Sequence, residues 1–226
     1  MAGLIAVSTV TIALGSLGRI VGDRENKSIN DFLVSPIERT TVFLAYILST
    51  LIITLIISTM LFIIAEIYIL NSGGVLLSIM QMAQIIGIIS LCVVSSSLLM
   101  LFLVSFLKST HSFSIVSSLI GALIGFITEA YIPMGLMPNT VQIVSNAIPV
   151  SQGASLLRKI FLEQPMAHVF ASAPQEVIND YTKMQGVDLY FGSHELTSTF
   201  MVLFIIGSIV LFTIMNIIRF RKMKNN

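Results

Sequence analysis

The chain has 226 residues, of which 55% are hydrophobic and only 10% are charged, and its mean hydropathy is +0.96. This balance excludes an ordinary soluble domain and predicts a membrane protein. The net charge of +1 and the dispersed Lys and Arg residues argue against a nucleic-acid partner, because phosphate binding requires basic residues concentrated on one surface. The single cysteine, Cys92, excludes an internal disulfide.

Five apolar segments have the length that a membrane-spanning helix requires, about 20 residues at about 1.5 Å each. The sequence therefore predicts an all-α, polytopic helical membrane protein with one permease-like domain over residues 1–226. The predicted spans are residues 2–20, 42–70, 85–107, 113–128 and 197–218.

Most of the basic residues fall in the connections on one side of these spans, which predicts that this side and the C-terminus are cytoplasmic. Five spans then place Met1 outside, so we expect an N-terminally shortened chain that lacks one preceding span. The basic residues on the predicted cytoplasmic side are Arg19, Arg24, Lys27, Arg39, Lys108, Arg219, Arg221, Lys222 and Lys224.

Residues 131–196 lie between the fourth and fifth spans, on the predicted external side. Pro133, Pro138 and Pro149 interrupt its apolar first part, which predicts short broken helices in a re-entrant hairpin rather than another crossing. The polar remainder, residues 163–195, is expected to form a small solvated cap.

The predicted cytoplasmic loop, residues 22–41, concentrates charge and helix-boundary signals. Ser28 is a suitable N-cap, and Ile29, Phe32 and Leu33 then share one face of a short amphipathic helix. Ser35 and Pro36 mark a second helix start, where the next span begins.

Two interpretations of this amphipathic helix are open. On composition alone, a helix lying on lipid headgroups is the more frequent case. The alternative is a helix that another protein binds.

The loop resembles the coupling region of the ABC-2 type exporter permeases. The family pattern appears here as Asp23-Arg24-Glu25, Lys27-Ser28, the apolar stretch 29–34 and Ser35-Pro36-Ile37. Lys27 and Ser28 depart from it, since the family usually has glycine and threonine there.

A second match lies in residues 131–138 and 148–161, which are similar to the re-entrant segment that precedes the last span in this family. The residues of this chain that we assign to the re-entrant segment are Pro133, Pro138, Pro149 and Arg158. The family has six spans per subunit, so the resemblance also accounts for a missing first span.

The resemblance implies a homo- or heterodimer of permease subunits in the bacterial plasma membrane, each bound to a separate ABC ATP-binding subunit. ATP and Mg would be held by that partner, and this chain would carry no cofactor. It has no Gly-Lys step, hence no phosphate-binding loop, and is not expected to be an enzyme. The implied coupling residues are Asp23, Arg24, Glu25, Ser28, Ile29, Phe32, Leu33, Ser35 and Pro36.

The leading hypothesis is an ATP-driven exporter of an amphipathic or lipid-like compound, of drug or antibiotic type. The first alternative is a self-contained ion-coupled secondary transporter or channel that uses Glu66 or Glu129, although we interpret both as solvated residues at span ends. The second is a membrane enzyme or scaffold that works through the external cap.

Other polar residues have simpler interpretations. His111, His168 and His194 show no metal-binding spacing, so no metal site is expected. Ser95, Ser96 and Ser97 are expected to support close helix packing, as is the GxxxG spacing of Gly121 and Gly125.

Overall fold

Helices account for nearly all regular structure in the computed structural model, which describes residues 1–26, 39–171, 173–191 and 194–224. Short connections join the long helices, and a single-turn 3-10 helix, Met134–Leu136, precedes α5. The elements are α1 (Ala2–Glu25), α2 (Arg39–Asn71), α3 (Ile79–Val104), α4 (Thr110–Ile127), α5 (Asn139–Asn146), α6 (Pro149–Val169), α7 (Gln175–Met184), β1 (Tyr190–Phe191), β2 (His194–Glu195) and α8 (Ser198–Lys224).

The all-α fold with five candidate membrane spans is confirmed: α1, α2, α3, α4 and α8 are long and apolar enough to cross a bilayer. Helix α3 begins at Ile79, earlier than predicted. Ser78 Oγ accepts a hydrogen bond from Gln81 N at 3.2 Å, and Gln81 Oε1 accepts one from Ser78 N at 3.0 Å. This capping box satisfies free backbone donors at the helix start, so the helix extends over polar residues.

Helix α1 lies at the centre of the bundle and packs against α2, α3, α4 and α6. Helices α6 and α8 pack on α3. The core cluster beside α1 is almost wholly aliphatic and combines residues of α1, α3, α4 and α6. Its buried members are Ala6, Val10, Ala13, Leu14, Leu17, Ile20, Val21, Met100, Leu101, Val104, Ile124, Val150 and Ala154.

Pairs of hydroxyl side chains join the long helices inside this apolar bundle. Thr9 Oγ1 lies 3.1 Å from Ser96 Oγ, and Ser95 Oγ lies 2.8 Å from Ser208 Oγ. Ser8 pairs with Ser58 in the same way at 3.2 Å. Small hydroxyl residues permit close helix approach and satisfy one another away from water. The packing role predicted for Ser95 and Ser96 agrees with this geometry.

The predicted external segment contains the hairpin of α5 and α6. Pro133, Pro138 and Pro149 each stand at the start of a helical element, as their fixed φ and missing N–H favour. Residues 149–158 of α6 are all buried, and this half of α6 packs against α1, α3 and α8. Helix α6 is not among the five candidate spans.

The prediction that only short helices form here is wrong for α6, which continues through Pro165 to Val169. Its buried first half is held by three neighbouring helices, so the hydrogen bond lost at Pro165 does not end the helix. The close approach of α6 to α3 depends on Gly153, where a Cβ would overlap Cys92 Sγ. The cap therefore begins later than expected.

The cap that follows α6 contains α7 and a two-stranded antiparallel ribbon of β1 and β2. Asn146 Nδ2 at the end of α5 donates to Tyr190 O at 2.8 Å, and Lys159 Nζ of α6 lies 2.9 Å from Asp188 Oδ1. These contacts fix the cap on the α5–α6 hairpin.

The GxxxG spacing of α4 has two different environments. A Cβ at Gly125 would overlap the ring of Tyr131, whereas Gly121 has open space around it. Gly125 therefore accommodates the chain as it turns back after α4.

Candidate functional site

The described part of the predicted coupling region is the end of α1, where Asp23, Arg24 and Glu25 occupy the last helical turn. Glu25 is exposed, and Asp23 and Arg24 are partly buried. The other predicted coupling residues lie outside the described residues: Ser28, Ile29, Phe32, Leu33, Ser35 and Pro36.

Two hydrogen bonds join this turn to neighbouring spans. Tyr46 Oη of α2 donates to Asp23 Oδ2. Thr110 N, the first amide of α4, donates to Glu25 Oε2 at 2.7 Å. A carboxylate at a helix N-terminus is stabilised by the free amides and the helix dipole. The end of α1 is thus connected to both α2 and α4.

The same end of the bundle carries the C-terminal part of α8. The rings of Phe43 in α2 and Phe220 in α8 stack with centroids 4.6 Å apart. The Arg219 guanidinium lies 4.4 Å from the centre of the Phe106 ring, and its charge is close enough to Arg24 for the two to repel. Basic residues from separate parts of the chain therefore collect at one end, which is the pattern that the orientation prediction requires.

A buried ion pair occupies the opposite end of the bundle. Arg158 Nη1 in α6 lies 2.7 Å from Glu129 Oε2, just after α4. Arg158 Nη2 donates to Thr128 O at 2.5 Å, and Nη1 is 3.4 Å from Gly186 O, in the turn after α7. Arg158 thus joins the α6 helix, the end of α4 and the cap.

The backbone around this pair is unusual. Glu129 has φ of 56°, the left-handed region that a side chain with a Cβ rarely adopts. Gly186 has φ of 63°, and a Cβ there would overlap Glu129 Oε2. The local fold therefore places the carboxylate directly against the glycine, at a conformational cost of about 1 kcal/mol or more at Glu129.

Burial disfavours both charges of the pair. Glu129 is 8% exposed and Arg158 is 9% exposed. Desolvation raises the pKa of Glu129 to about 7, against the opposing effect of the Arg158 charge. Desolvation likewise lowers the pKa of Arg158, while Glu129 opposes the change. The interpretation of Glu129 as a solvated residue is wrong, because the α5–α6 hairpin and the cap cover it.

Glu66 is also buried, at 7% exposed, so the solvated interpretation is wrong there too. Its Oε1 accepts a hydrogen bond from Leu77 N at 2.8 Å. The side chain thereby holds the connection between α2 and α3 against the end of α2, which is a structural role.

The sequence indicates Arg158 and Glu129 separately and contains no sign that they pair. Tyr46 and Gly186 are not among the residues that it predicts to be functional. The available signals were weak: an arginine inside an apolar helix and a carboxylate at the end of a span each require a partner. Across the described ranges, no three His, Cys, Asp or Glu residues lie together in a way that could hold a metal.

The model of one protein family, described as ABC-2 type transporter, matches residues 1–162, well over half of the chain. The chain belongs to the ABC-2 type transporter family. No curated protein and no solved structure matches it. The matched range of this ABC-2 transporter includes the end of α1, the residues that follow it and the hairpin as far as Arg158. The chain is therefore a multi-pass membrane component of a transporter, as the two motifs indicated.

Proposed function

We propose that this ABC-2 transporter chain is the permease subunit of an ATP-driven exporter in the bacterial plasma membrane. A separate ABC ATP-binding subunit, which holds ATP and Mg, binds the segment from Asp23 to Pro36 on the cytoplasmic side. A second permease subunit, identical or related, completes the pathway. The transported compound is amphipathic or lipid-like, of drug or antibiotic type.

The observation that carries this proposal is the connection of the α1 end to two other spans. Asp23 accepts a hydrogen bond from Tyr46 of α2, and Glu25 accepts one from the first amide of α4. A partner that displaces the segment after residue 26 would move α1 together with α2 and α4. Such a connection lets nucleotide binding shift the equilibrium between two states of the bundle.

The character of the spans supports an amphipathic substrate. The buried polar groups near the middle of α1, α2, α3 and α8 are largely hydroxyls that bond one another or their own backbone. Such groups offer no net charge to a hydrophilic ion. A compound with a large apolar part matches these surfaces better.

Transport in liposomes by the complex of the chain with its ATP-binding subunit tests the proposal. Reversing the charges with Arg24→Glu and Glu25→Lys, or deleting residues 29–33, should leave ATP hydrolysis measurable and abolish its link to transport. Tyr46→Phe removes the hydrogen bond to Asp23 and should partly weaken the coupling of ATP hydrolysis to transport.

Two variants serve as controls. Tyr68→Phe changes an exposed tyrosine of the same helix, and Glu176→Lys reverses a charge in the cap. Both should couple normally. Normal coupling in the charge-reversed variants, or transport without nucleotide hydrolysis, would contradict the proposal.

The ion-coupled alternative is favoured by one observation, the buried Glu129 with its pKa near 7. Against it, Glu129 is held in an ion pair with Arg158, and Glu66 holds a backbone amide. The chain alone in liposomes should not move substrate after a pH or sodium step. Movement that is lost in Glu129→Gln would favour the alternative.

A further inference from the structure

An apolar groove of about 490 Å³ runs along the outer surface between α2 and α8, with α3 as its floor. Helices α2 and α8 both pack on α3, and the Phe43–Phe220 stack connects them near one end of the groove. The groove lining from Thr213 to Arg221 corresponds to about 12 Å of helix. Its other apolar lining residues are Leu44, Ile47, Leu98, Leu101 and Ile217.

The two uncharged polar side chains that line the groove already form hydrogen bonds within the bundle. Thr213 Oγ1 donates to Ile209 O at 2.7 Å. Asn216 Nδ2 donates to Leu98 O at 2.9 Å and to Phe212 O at 2.8 Å. The sides of the groove therefore present hydrocarbon to any occupant.

One end of the groove differs, because Arg221 lines it and is exposed. Arg219, two residues earlier, is not available to an occupant of the groove, because its guanidinium lies over the Phe106 ring. The groove thus combines an apolar length with a cation at the end of α8.

From this combination we propose that the groove binds one anionic phospholipid, with an acyl chain along Leu44, Ile217 and Leu101 and the phosphate at Arg221. Charge complementarity identifies the occupant: a hydrocarbon chain fits the lining, and an anionic headgroup fits the guanidinium. This lipid site lies on the outer face of the bundle, at the same end as the proposed coupling region but lined by other residues. It goes beyond the proposed function, since a lipid can bind here whatever the transporter moves.

The absence of tryptophan from the chain makes a direct test possible. Ile217→Trp places a single fluorophore in the groove, and phospholipids with brominated acyl chains quench it on contact. The full chain is reconstituted in mixtures of brominated and unbrominated phosphatidylglycerol and phosphatidylcholine. We expect about a fivefold preference for phosphatidylglycerol, the contribution of about one basic residue at an anionic lipid surface.

Two pairs of variants make the test specific. Leu211→Trp, on the same helix and similarly exposed but outside the groove, should report near-equal quenching by both lipids. In the Ile217→Trp background, Arg221→Gln should abolish the preference, and Arg219→Gln should retain it.

Several outcomes would overturn the lipid site. Equal quenching by the two lipids, or a preference that survives Arg221→Gln, would do so. Loss of quenching at Ile217→Trp would mean that protein, either residues 27–38 or a second copy, fills the groove. If millimolar inorganic phosphate abolished the preference for phosphatidylglycerol, the groove would contain a site for free anions and not for a lipid.

A measurement without the tryptophan keeps the proposal testable if that variant does not fold. Native mass spectrometry of the unaltered chain, purified from phosphatidylglycerol-containing membranes, should retain one more anionic phospholipid than Arg221→Gln. The Arg219→Gln chain should retain as many as the unaltered chain. Equal retention by all three chains would contradict the assignment.

Discussion

The pairing of Glu129 with Arg158 depends on a glycine distant in the sequence. Gly186 has no side chain, and the Glu129 carboxylate occupies the space that a Cβ at this position would fill. The left-handed conformation of Glu129 turns the chain after α4 so that the side chain points at Arg158. An ion pair at this depth is stable only while both partners remain in register, because a single buried charge is costly.

Substitution Gly186→Ala tests this dependence. A Cβ at that position overlaps Glu129 Oε2, and the positive φ adds a cost of about 1 kcal/mol. Displacing the carboxylate leaves Arg158 unpaired, so we expect a total loss of about 3–5 kcal/mol in the free energy of unfolding. Thermal unfolding in detergent measures it, with Gly87→Ala, where a Cβ meets nothing, as the control. An equal effect of both substitutions would contradict this account.

The pH dependence of stability should report the burial of Glu129. Its pKa in the folded chain, about 7, lies above the ordinary carboxyl value, so the folded state binds more protons than the unfolded state between pH 4.5 and 7. This group therefore contributes stability below pH 4.5 that is lost as the pH rises through about 7. Unfolding of the unaltered chain should show this decline, and Glu129→Gln should show a flatter profile. Identical profiles would mean that Glu129 titrates normally.

The sequence predicts less about contacts between individual residues than about the helices or the whole molecule. An arginine in the hairpin and a carboxylate after a span were both visible, but their contact joins residues in different elements, and one sequence contains no signal for it. Gly186 could not be distinguished from other turn glycines. Its role follows from the close approach of the cap, which depends on tertiary packing.

The packing of α6 on α3 depends on the fit between Gly153 and Cys92. Gly153→Ala should destabilise the fold by about 1–3 kcal/mol, because the added Cβ overlaps Cys92 Sγ. Cys92→Ala in the same chain removes that sulfur and leaves the Cys92 Cβ at 3.7 Å, so the double variant should recover most of the loss. Thermal unfolding of the single and double variants checks the rescue. If the double variant is less stable than Gly153→Ala, the contact is not the cause.

Elements were predicted well where composition alone determines them. Five spans follow from hydropathy, and Pro133, Pro138 and Pro149 indicate a broken helical hairpin. The start of α3 was missed because Gln81 and Gln84 interrupt the apolar run, although Ser78 and Gln81 form a recognisable capping pair. The length of α6 was missed because Pro165 normally ends a helix, and only the packing of its first half keeps it continuous.

The orientation of the whole chain in the membrane is a testable prediction. Asn26 and Met184 are exposed at opposite ends of the bundle, and the native Cys92 is buried. A membrane-impermeant maleimide applied to intact cells should therefore label Met184→Cys and leave Asn26→Cys unlabelled. After the cells are opened, both should react, while the unaltered chain remains unlabelled throughout. Labelling of Asn26→Cys in intact cells would reverse the orientation and remove the basis for a cytoplasmic ATPase contact.

The burial of α6 has a consequence for how the chain is made. Its first half is surrounded by α1, α3 and α8, and α8 follows it in the chain. A ribosome therefore completes the hairpin before one wall of its binding site exists, and α6 is too polar to remain in lipid alone. We therefore expect the hairpin to complete its packing only after α8 has been synthesised.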